Sequence, residues 1–336
     1  MKIDVVYTWV DGADSEWNRK RTVVAEKLGA RVSSNANSDA RFQHNDELKY
    51  SLRSVYQFAP WVNKIFIVTD NQVPSWLDIS HPKITIIDHK SIFRDQSHLP
   101  TFSARAIEAN LHHIEDLSEH FIYFNDDMFL GKSTKPTHFF TKNGTPYIFT
   151  ARLWPKKREH HLDRSKLKGR QDNEHQHAIE NSRILISKSL NKDIHDDFRH
   201  TVKPMLKSVL YELEEKYNVA FVQTSKHPFR ENNAIIPYNL FGFYAIAKSI
   251  AKVKYLKTIH RRTKKLNILG RTVFRFNFTY VNMSLENVQL VLEKINIHRP
   301  SSFCLNQYSD TSPKVIEEMK LFMQAFFPNR SEYELK

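Results

Sequence analysis

Phe121-Ile122-Tyr123-Phe124-Asn125-Asp126-Asp127-Met128-Phe129-Leu130 is the stretch that decides how the chain is read. Apolar and aromatic residues run straight into an amide and two carboxylates, then turn out at Gly131, which is how a buried strand ends at a site. Adjacent carboxylates repel, so a fold tolerates Asp126 and Asp127 there chiefly when a cation neutralises them. An acidic turn, with Asn125 or Asp126 capping a chain reversal, is the other reading. In a continuing strand Asn125 and Asp127 share a face and Asp126 points away, whereas a turn brings both acids together.

The strand-to-acid pattern recurs upstream. Ile3-Asp4-Val5-Val6-Tyr7-Thr8-Trp9-Val10 runs into Asp11-Gly12, Ile65-Phe66-Ile67-Val68-Thr69 into Asp70, and Ile84-Thr85-Ile86-Ile87 into Asp88-His89. Acids are common in turns, so each case alone is uninformative. Helical spacing predicts a helix over 13–29, one from Asn45-Asp46-Glu47 to Pro60, and one over 103–115 that turns Ile107, Leu111 and Ile114 inward. Strands alternating with helices over the first 150 residues predict an α/β fold, a Rossmann-like, mainly parallel sheet flanked by helices. Ligands bind such sheets at the carboxyl ends of the strands. There is no G-x-G-x-x-G and no G-x-x-x-x-G-K-[ST], which excludes a standard dinucleotide site and a P-loop.

Residues 30–42 read as a polar loop. Residues 151–200, polar and rich in His and Arg, show no core face and read as an insertion over the site. Helical periodicity returns at 205–217, and 225–233 is dense in groups that bind ligands or move protons. Residues 248–275 form a basic tract whose interleaved apolar residues have roughly helical spacing. An amphipathic helix facing an anionic surface and a solvated helix packed on the domain both fit it. Helices around 285–295 and 312–327 close the chain. The expected organisation is a core over 1–150, an insertion and further segment over 151–245, and a basic tract with C-terminal helices over 246–336, making one domain.

With 336 residues, 40% hydrophobic content and only 7 glycines, the chain is globular. A single cysteine, Cys304, excludes an internal disulfide framework and fits a reducing compartment. The N-terminal apolar run holds an Asp and reads as a strand, not a signal peptide, and no stretch has the length of a membrane span. The expected location is cytoplasmic, with contact at the inner face of the membrane through the basic tract. A net charge of +13 points to anionic partners. Nucleic acid is not expected, because no nucleic-acid-binding motif accompanies the charge.

His200 precedes a helix and could take a proton from a hydroxyl near neutral pH. With 17 histidines in the chain, its position alone, like that of His227, favours a surface or packing role. Arg230 could fork onto phosphate oxygens or pair with Glu231. Glu108 reads as a solvated helical charge.

The segments Ile3 through Gly12, Asn45-Asp46-Glu47-Leu48-Lys49-Tyr50-Ser51-Leu52-Arg53-Ser54, Ala59-Pro60-Trp61, Leu99-Pro100-Thr101-Phe102-Ser103 and Phe121 through Phe129 resemble the first two blocks of the Stealth family. His200 with the following helix and His227 through Arg230 resembles its third block, and Phe303-Cys304-Leu305-Asn306 its fourth. That family comprises bacterial capsular and exopolysaccharide phosphotransferases and the catalytic subunit of the animal lysosomal-enzyme N-acetylglucosamine phosphotransferase. The resemblance implies transfer of a sugar 1-phosphate from a UDP-sugar to a saccharide hydroxyl, lipid-linked acceptors included, with release of UMP and dependence on Mg2+ or Mn2+. It implies Asp126 and Asp127 at the metal, and His200, His227, Arg230 and Glu108 in catalysis. It sets Asp11, Gly12, Asn45, Arg53, Ser103 and Asn306 at the substrate. Gln307 stands where the family has an Asp, which keeps an acceptor oxygen and loses a charge. Two rivals remain: a metal-dependent glycosyltransferase that releases UDP, and a non-catalytic binder of acidic polymer or nucleic acid.

Overall fold

A computed structural model describes residues 1–29, 32–33, 36–39, 42–151, 174–256, 278–284 and 287–336. In chain order its elements are β1 (Ile3–Thr8), α1 (Ser15–Leu28), α2 (Glu47–Phe58), β2 (Ile65–Thr69), β3 (Ile84–Asp88), α3 (His89–Ile92), α4 (Ala104–Glu108), β4 (His120–Asn125), β5 (Met128–Leu130) and β6 (Tyr147–Thr150). There follow α5 (Glu174–Leu190), β7 (Lys203–Leu206), α6 (Lys207–Lys216), α7 (Asn218–Ser225), α8 (Pro237–Ala247), β8 (Lys252–Tyr255), β9 (Phe278–Asn282), α9 (Val288–His298), β10 (Ser302–Asn306) and α10 (Pro313–Phe326).

The main sheet runs β3-β2-β1-β4-β7, parallel except for β7, which lies antiparallel on β4. The expected α/β sheet is therefore present. Register pairs Thr8 with Asn125 and Thr69 with Asp88, so the acids that follow β1, β2, β3 and β4 leave along one edge. Both faces are covered. Val6, Phe66, Phe121 and Tyr123 pack into one hydrophobic layer, and Val5, Tyr7, Ile67, Ile122 and Phe124 into the other, as side chains alternating along each strand require. Asp4, fully buried in β1, accepts from Asn63 Nδ2 (2.7 Å), Lys64 N (3.0 Å) and Ser118 N (2.7 Å), so its charge is hydrogen-bonded. Two smaller sheets, β5-β10-β9 and β6-β8, carry the chain on from the end of β4.

Four expectations need correction. The helix over 103–115 is α4 followed by a separate 3-10 turn, Leu111–His113; between them Asn110 Nδ2 bonds back to Ala106 O (2.8 Å) and across to Ser225 Oγ (2.9 Å), replacing helix continuation. The helix over 205–217 begins only at Lys207. Residues 203–206 are the edge strand β7, where Pro204 is tolerated despite lacking an N–H. The stretch read as having no core face contains α5, which buries Ala178, Ser182, Arg183 and Ile186. Half of that face is polar: Ser182 Oγ accepts from Ile236 N (2.9 Å), and the Arg183 guanidinium lies 4.6 Å from the Phe243 ring centre. In the basic tract, residues 252–255 form β8 beside β6 and not a helix; Val253 and Tyr255 suit a pleated edge. The rest of that tract, from 257, lies outside the described residues. Among the described residues no helix is long and apolar enough to cross a membrane.

Candidate active site

A cavity of about 740 Å³ opens where β1 and β4 end. Thr8, Trp9, Asn125, Asp126 and Asp127 form its sheet side, and His200, Arg230, Tyr280 and Asn306 come in from the second half of the chain. The break between β4 and β5 is a tight turn at Asp126-Asp127 in which Asp127 N donates to Asp126 Oδ1 (3.1 Å). The turn brings both acids to face the same space.

Strand β10 pins this turn: Leu305 N donates to Asp127 O (3.0 Å), while Asn306 Nδ2 and Cys304 Sγ each lie 3.1 Å from Asp127 Oδ2. Asp127 Oδ1 is shut off from solvent with no partner among the described residues. Desolvation, then the Asp127 and Glu47 charges, push the Asp126 carboxyl well above the usual range. Desolvation also raises Asp127, opposed by bonds from Cys304 and Asn306 and by the Lys203 charge. Glu47, buried, is raised by desolvation, with Asn45 opposing and Asp127 adding to the rise. Three carboxyls crowded together with an unsatisfied oxygen form the set that a hard divalent cation relieves. Burial and the Asp127 charge drive the Cys304 thiol well above its ordinary range.

His200 stands edge-on to Tyr280, ring centres 5.7 Å apart. One of its ring nitrogens, an Asp127 carboxylate oxygen and Cys304 Sγ all lie within 4.8 Å of one another. Desolvation, then Lys203, His175 and Arg230, hold the imidazole well below its usual pKa. It is neutral at pH 7, with a lone pair to accept a proton.

A smaller cavity of about 110 Å³ adjoins the first and shares His200, Arg230 and Asn125 with it. Its remaining polar lining includes Arg105, Glu108, Lys203 and Tyr238. Glu108 Oε1 accepts from Tyr123 OH (3.1 Å), but Glu108 Oε2, Arg105 Nη2 and Tyr238 OH are buried without partners among the described residues. Unmet polar atoms around one void call for a polar occupant. Lys203 Nζ donates to Asn125 Oδ1 (2.7 Å) and lies 4.5 Å from the Tyr123 ring centre. Arg230 makes no ion pair among the described residues; burial lowers its pKa, and Glu108, Glu174 and Tyr123 support its charge.

The other expected residues divide. Asn45 Nδ2 bonds Glu47 Oε1 (3.1 Å) and Gln307 Oε1 (2.8 Å), so Gln307 at the cavity wall is held by hydrogen bonds and not by charge. Asp11 accepts from Ala13 N (2.8 Å) and His44 Nε2 (3.0 Å) just beyond the cavity lining. Gly12 is required by close approach, since a Cβ there would sit 2.1 Å from Phe42 O. Arg53, Ser103 and His227 line neither cavity. Arg53 is forked onto Glu334 (2.9 and 2.7 Å) and bonds Phe327 O (2.8 Å), fastening the C-terminus. Ser103 is buried at the start of α4. His227 Nε2 is buried without a partner among the described residues. Sequence reasoning missed Lys203, Arg105, Tyr238 and Glu47. The one available signal was a Lys inside the apolar run Val202-Lys203-Pro204-Met205.

Family models for Stealth conserved regions 1, 2 and 3 match residues 1–29, 41–148 and 199–247. A capsular polysaccharide phosphotransferase of Haemophilus influenzae is 36% identical over 92% of this chain and 79% of its own length. The chain belongs to the Stealth family. An exopolysaccharide phosphotransferase of Streptomyces coelicolor is 36% identical over 99% of this Stealth chain and 52% of its own length. Another, from Nocardia farcinica, is 34% identical over 99% of this chain and 61% of its own. The Stealth chain thus spans little more than half the length of these two exopolysaccharide relatives. Among solved structures, a galactosyltransferase complex with donor and acceptor sugar analogues aligns over 96% of this chain and 95% of that one, at TM-score 0.41 and 11% identity. A likeness at that level carries no argument about chemistry.

Proposed function

We propose that this Stealth chain transfers a sugar 1-phosphate from a UDP-sugar to a saccharide hydroxyl, leaving a phosphodiester and releasing UMP, in the making of a capsular or exopolysaccharide. The observation that carries the reading is the meeting, in one cavity, of the Asp126-Asp127 turn, a neutral His200 and an Arg230 with no ion pair among the described residues. The names of the relatives support phosphotransfer.

In this mechanism His200 accepts the proton of the acceptor hydroxyl. The oxygen so freed attacks the phosphorus that bears the sugar, and the bond from that phosphorus to the bridging oxygen breaks, its electron pair leaving with UMP. Arg230 and Lys203 face the phosphoryl oxygens and stabilise the charge spread over them. Glu108, Arg105 and Tyr238 hold the transferred sugar by its hydroxyls. Asp126 and Asp127 would hold Mg2+ or Mn2+, which supplies positive charge to the diphosphate when bound. The tract over 248–275, whose β8 exposes Lys252, Val253 and Tyr255, is the proposed contact with an anionic membrane surface carrying a lipid-linked acceptor.

The test incubates UDP-sugar, Mg2+ or Mn2+ and an acceptor oligosaccharide with the protein and identifies the nucleotide released. UMP supports the proposal; UDP as the main product makes the chain a glycosyltransferase instead.

A further inference from the structure

Away from the cavities, His112, His113 and Glu214 form a second cluster. The first two residues come from the 3-10 turn after α4 and the third from α6. His112 Nε2 and His113 Nε2 lie 3.0 and 2.9 Å from the same oxygen, Glu214 Oε2, and the two imidazole rings are 4.1 Å apart. His112 is fully buried, and the His113 and Glu214 side chains are 6% and 15% exposed. The exposed Arg94 reaches the same oxygen from outside, at 3.3 Å.

The hydrogen on the His113 ring is not free to choose, whereas His112 Nδ1 is buried without a partner among the described residues. His113 Nδ1 lies 2.8 Å from Ile92 O, and a carbonyl oxygen only accepts, so a neutral ring carries its hydrogen on Nδ1. In that neutral form its Nε2 turns a lone pair onto the Glu214 carboxylate at 2.9 Å, an arrangement that repels unless a second proton or a metal cation lies between them. Backbone-carbonyl contact to one ring nitrogen is also how a metal-bound histidine is oriented, with the other nitrogen left as the ligand. In a tetrahedral zinc site, with bonds of about 2.0–2.2 Å, neighbouring ligand atoms stand about 3.3 Å apart. The observed separations need to open by only a few tenths of an ångström. Imidazole and carboxylate together suit zinc better than magnesium.

We propose that His112, His113 and Glu214 bind one Zn2+ ion, a site separate from the Asp126-Asp127 cluster. The ion joins the turn after α4, the helix of Arg105 and Glu108, to α6, which directly follows the Lys203 strand. Its fourth position opens toward Arg94, where a water completes the shell.

The test uses the full chain stripped of metal and titrated with Zn2+ alone, with X-ray absorption on the one-equivalent complex. The expected result is one tight equivalent, a thermal midpoint raised by several degrees, and a zinc shell of two imidazoles and oxygen without sulfur. Sulfur in the shell would place the ion at Asp127, His200 and Cys304 and overturn the proposal, as would the absence of a tight equivalent. Glu214→Gln is expected to weaken binding at least a hundredfold, and unchanged affinity in a folded Glu214→Gln protein also overturns it. Arg94→Ala, an exposed change that leaves the fold intact, is expected to bind zinc at least as tightly as the natural chain. A loss of binding there would mean that the cluster is an ion-pair hub and not a metal site. None of these readouts involves turnover, so the outcome is independent of the proposed transfer reaction.

Discussion

Arg230→Met separates a functional cation from a structural one, because the two roles predict opposite changes in stability. Arg230 lies where both cavities meet and has no ion pair among the described residues, and burial lowers its pKa. Its charge is therefore held at a cost to the fold, and a thioether of similar length removes that cost. If the guanidinium meets phosphoryl oxygens in the transition state, its loss removes about 3–4 kcal/mol of stabilisation, or about 10²–10³ in kcat. Arg230→Lys restores charge without the fork and is expected to recover part of that loss. The assay is the initial rate of nucleotide release at saturating donor, paired with the thermal midpoint of the same preparation. The account expects a rate lowered at least a hundredfold with a midpoint unchanged or raised. A rate within threefold of the natural chain, or a rate loss that follows a lowered midpoint, refutes the reasoning.

The pH dependence of kcat/KM follows from His200, whose pKa is held below its ordinary value. The profile is expected flat through neutrality and falling on the acid side, and His200→Ala is expected to lose about 10²–10⁴ in rate together with that acid limb. Asp126→Asn is expected to raise the thermal midpoint in metal-free buffer and to abolish turnover when Mg2+ or Mn2+ is supplied. The raised pKa of Asp126 means that the folded state binds its proton more tightly than the unfolded one, so stability declines as pH climbs from the ordinary carboxylate range through that raised value. Denaturant melts across pH are expected to show this decline in the natural chain and a smaller one in the variant. Arg53→Ala leaves Glu334 buried without its partner and is expected to cost about 3 kcal/mol in a urea melt, with turnover per folded molecule unchanged.

The strands of the main sheet were readable because β1, β2, β3 and β4 each pair a run of apolar residues with an acid at the end; their order was not. The pairing of Asp126 with Asp127 was readable for the same reason, since a fold has few uses for two desolvated acids. What escaped was polar material used as core. Ser182 and Arg183 bury their polar atoms by bonding backbone and stacking on Phe243, so α5 shows little hydrophobic stripe. Lys203 escaped because Val202, Pro204 and Met205 read as the approach to a helix; as a strand residue it registers opposite Tyr123 and reaches Asn125. The Asn110 break was hidden by Ile107, Leu111 and Ile114, which are buried whether or not the helix runs through. Arg53 and Ser103 fall inside a block whose resemblance is strong, and nothing in one sequence separates a substrate contact from a fastening such as the Arg53–Glu334 pair.

The central claim is that the bond between the donor sugar and its phosphate survives the reaction. A UDP-sugar carrying heavy oxygen between the sugar and its phosphorus decides this by phosphorus NMR of the products. The account predicts an isotope-shifted phosphodiester and unlabelled UMP, whereas heavy oxygen recovered in UDP would contradict it.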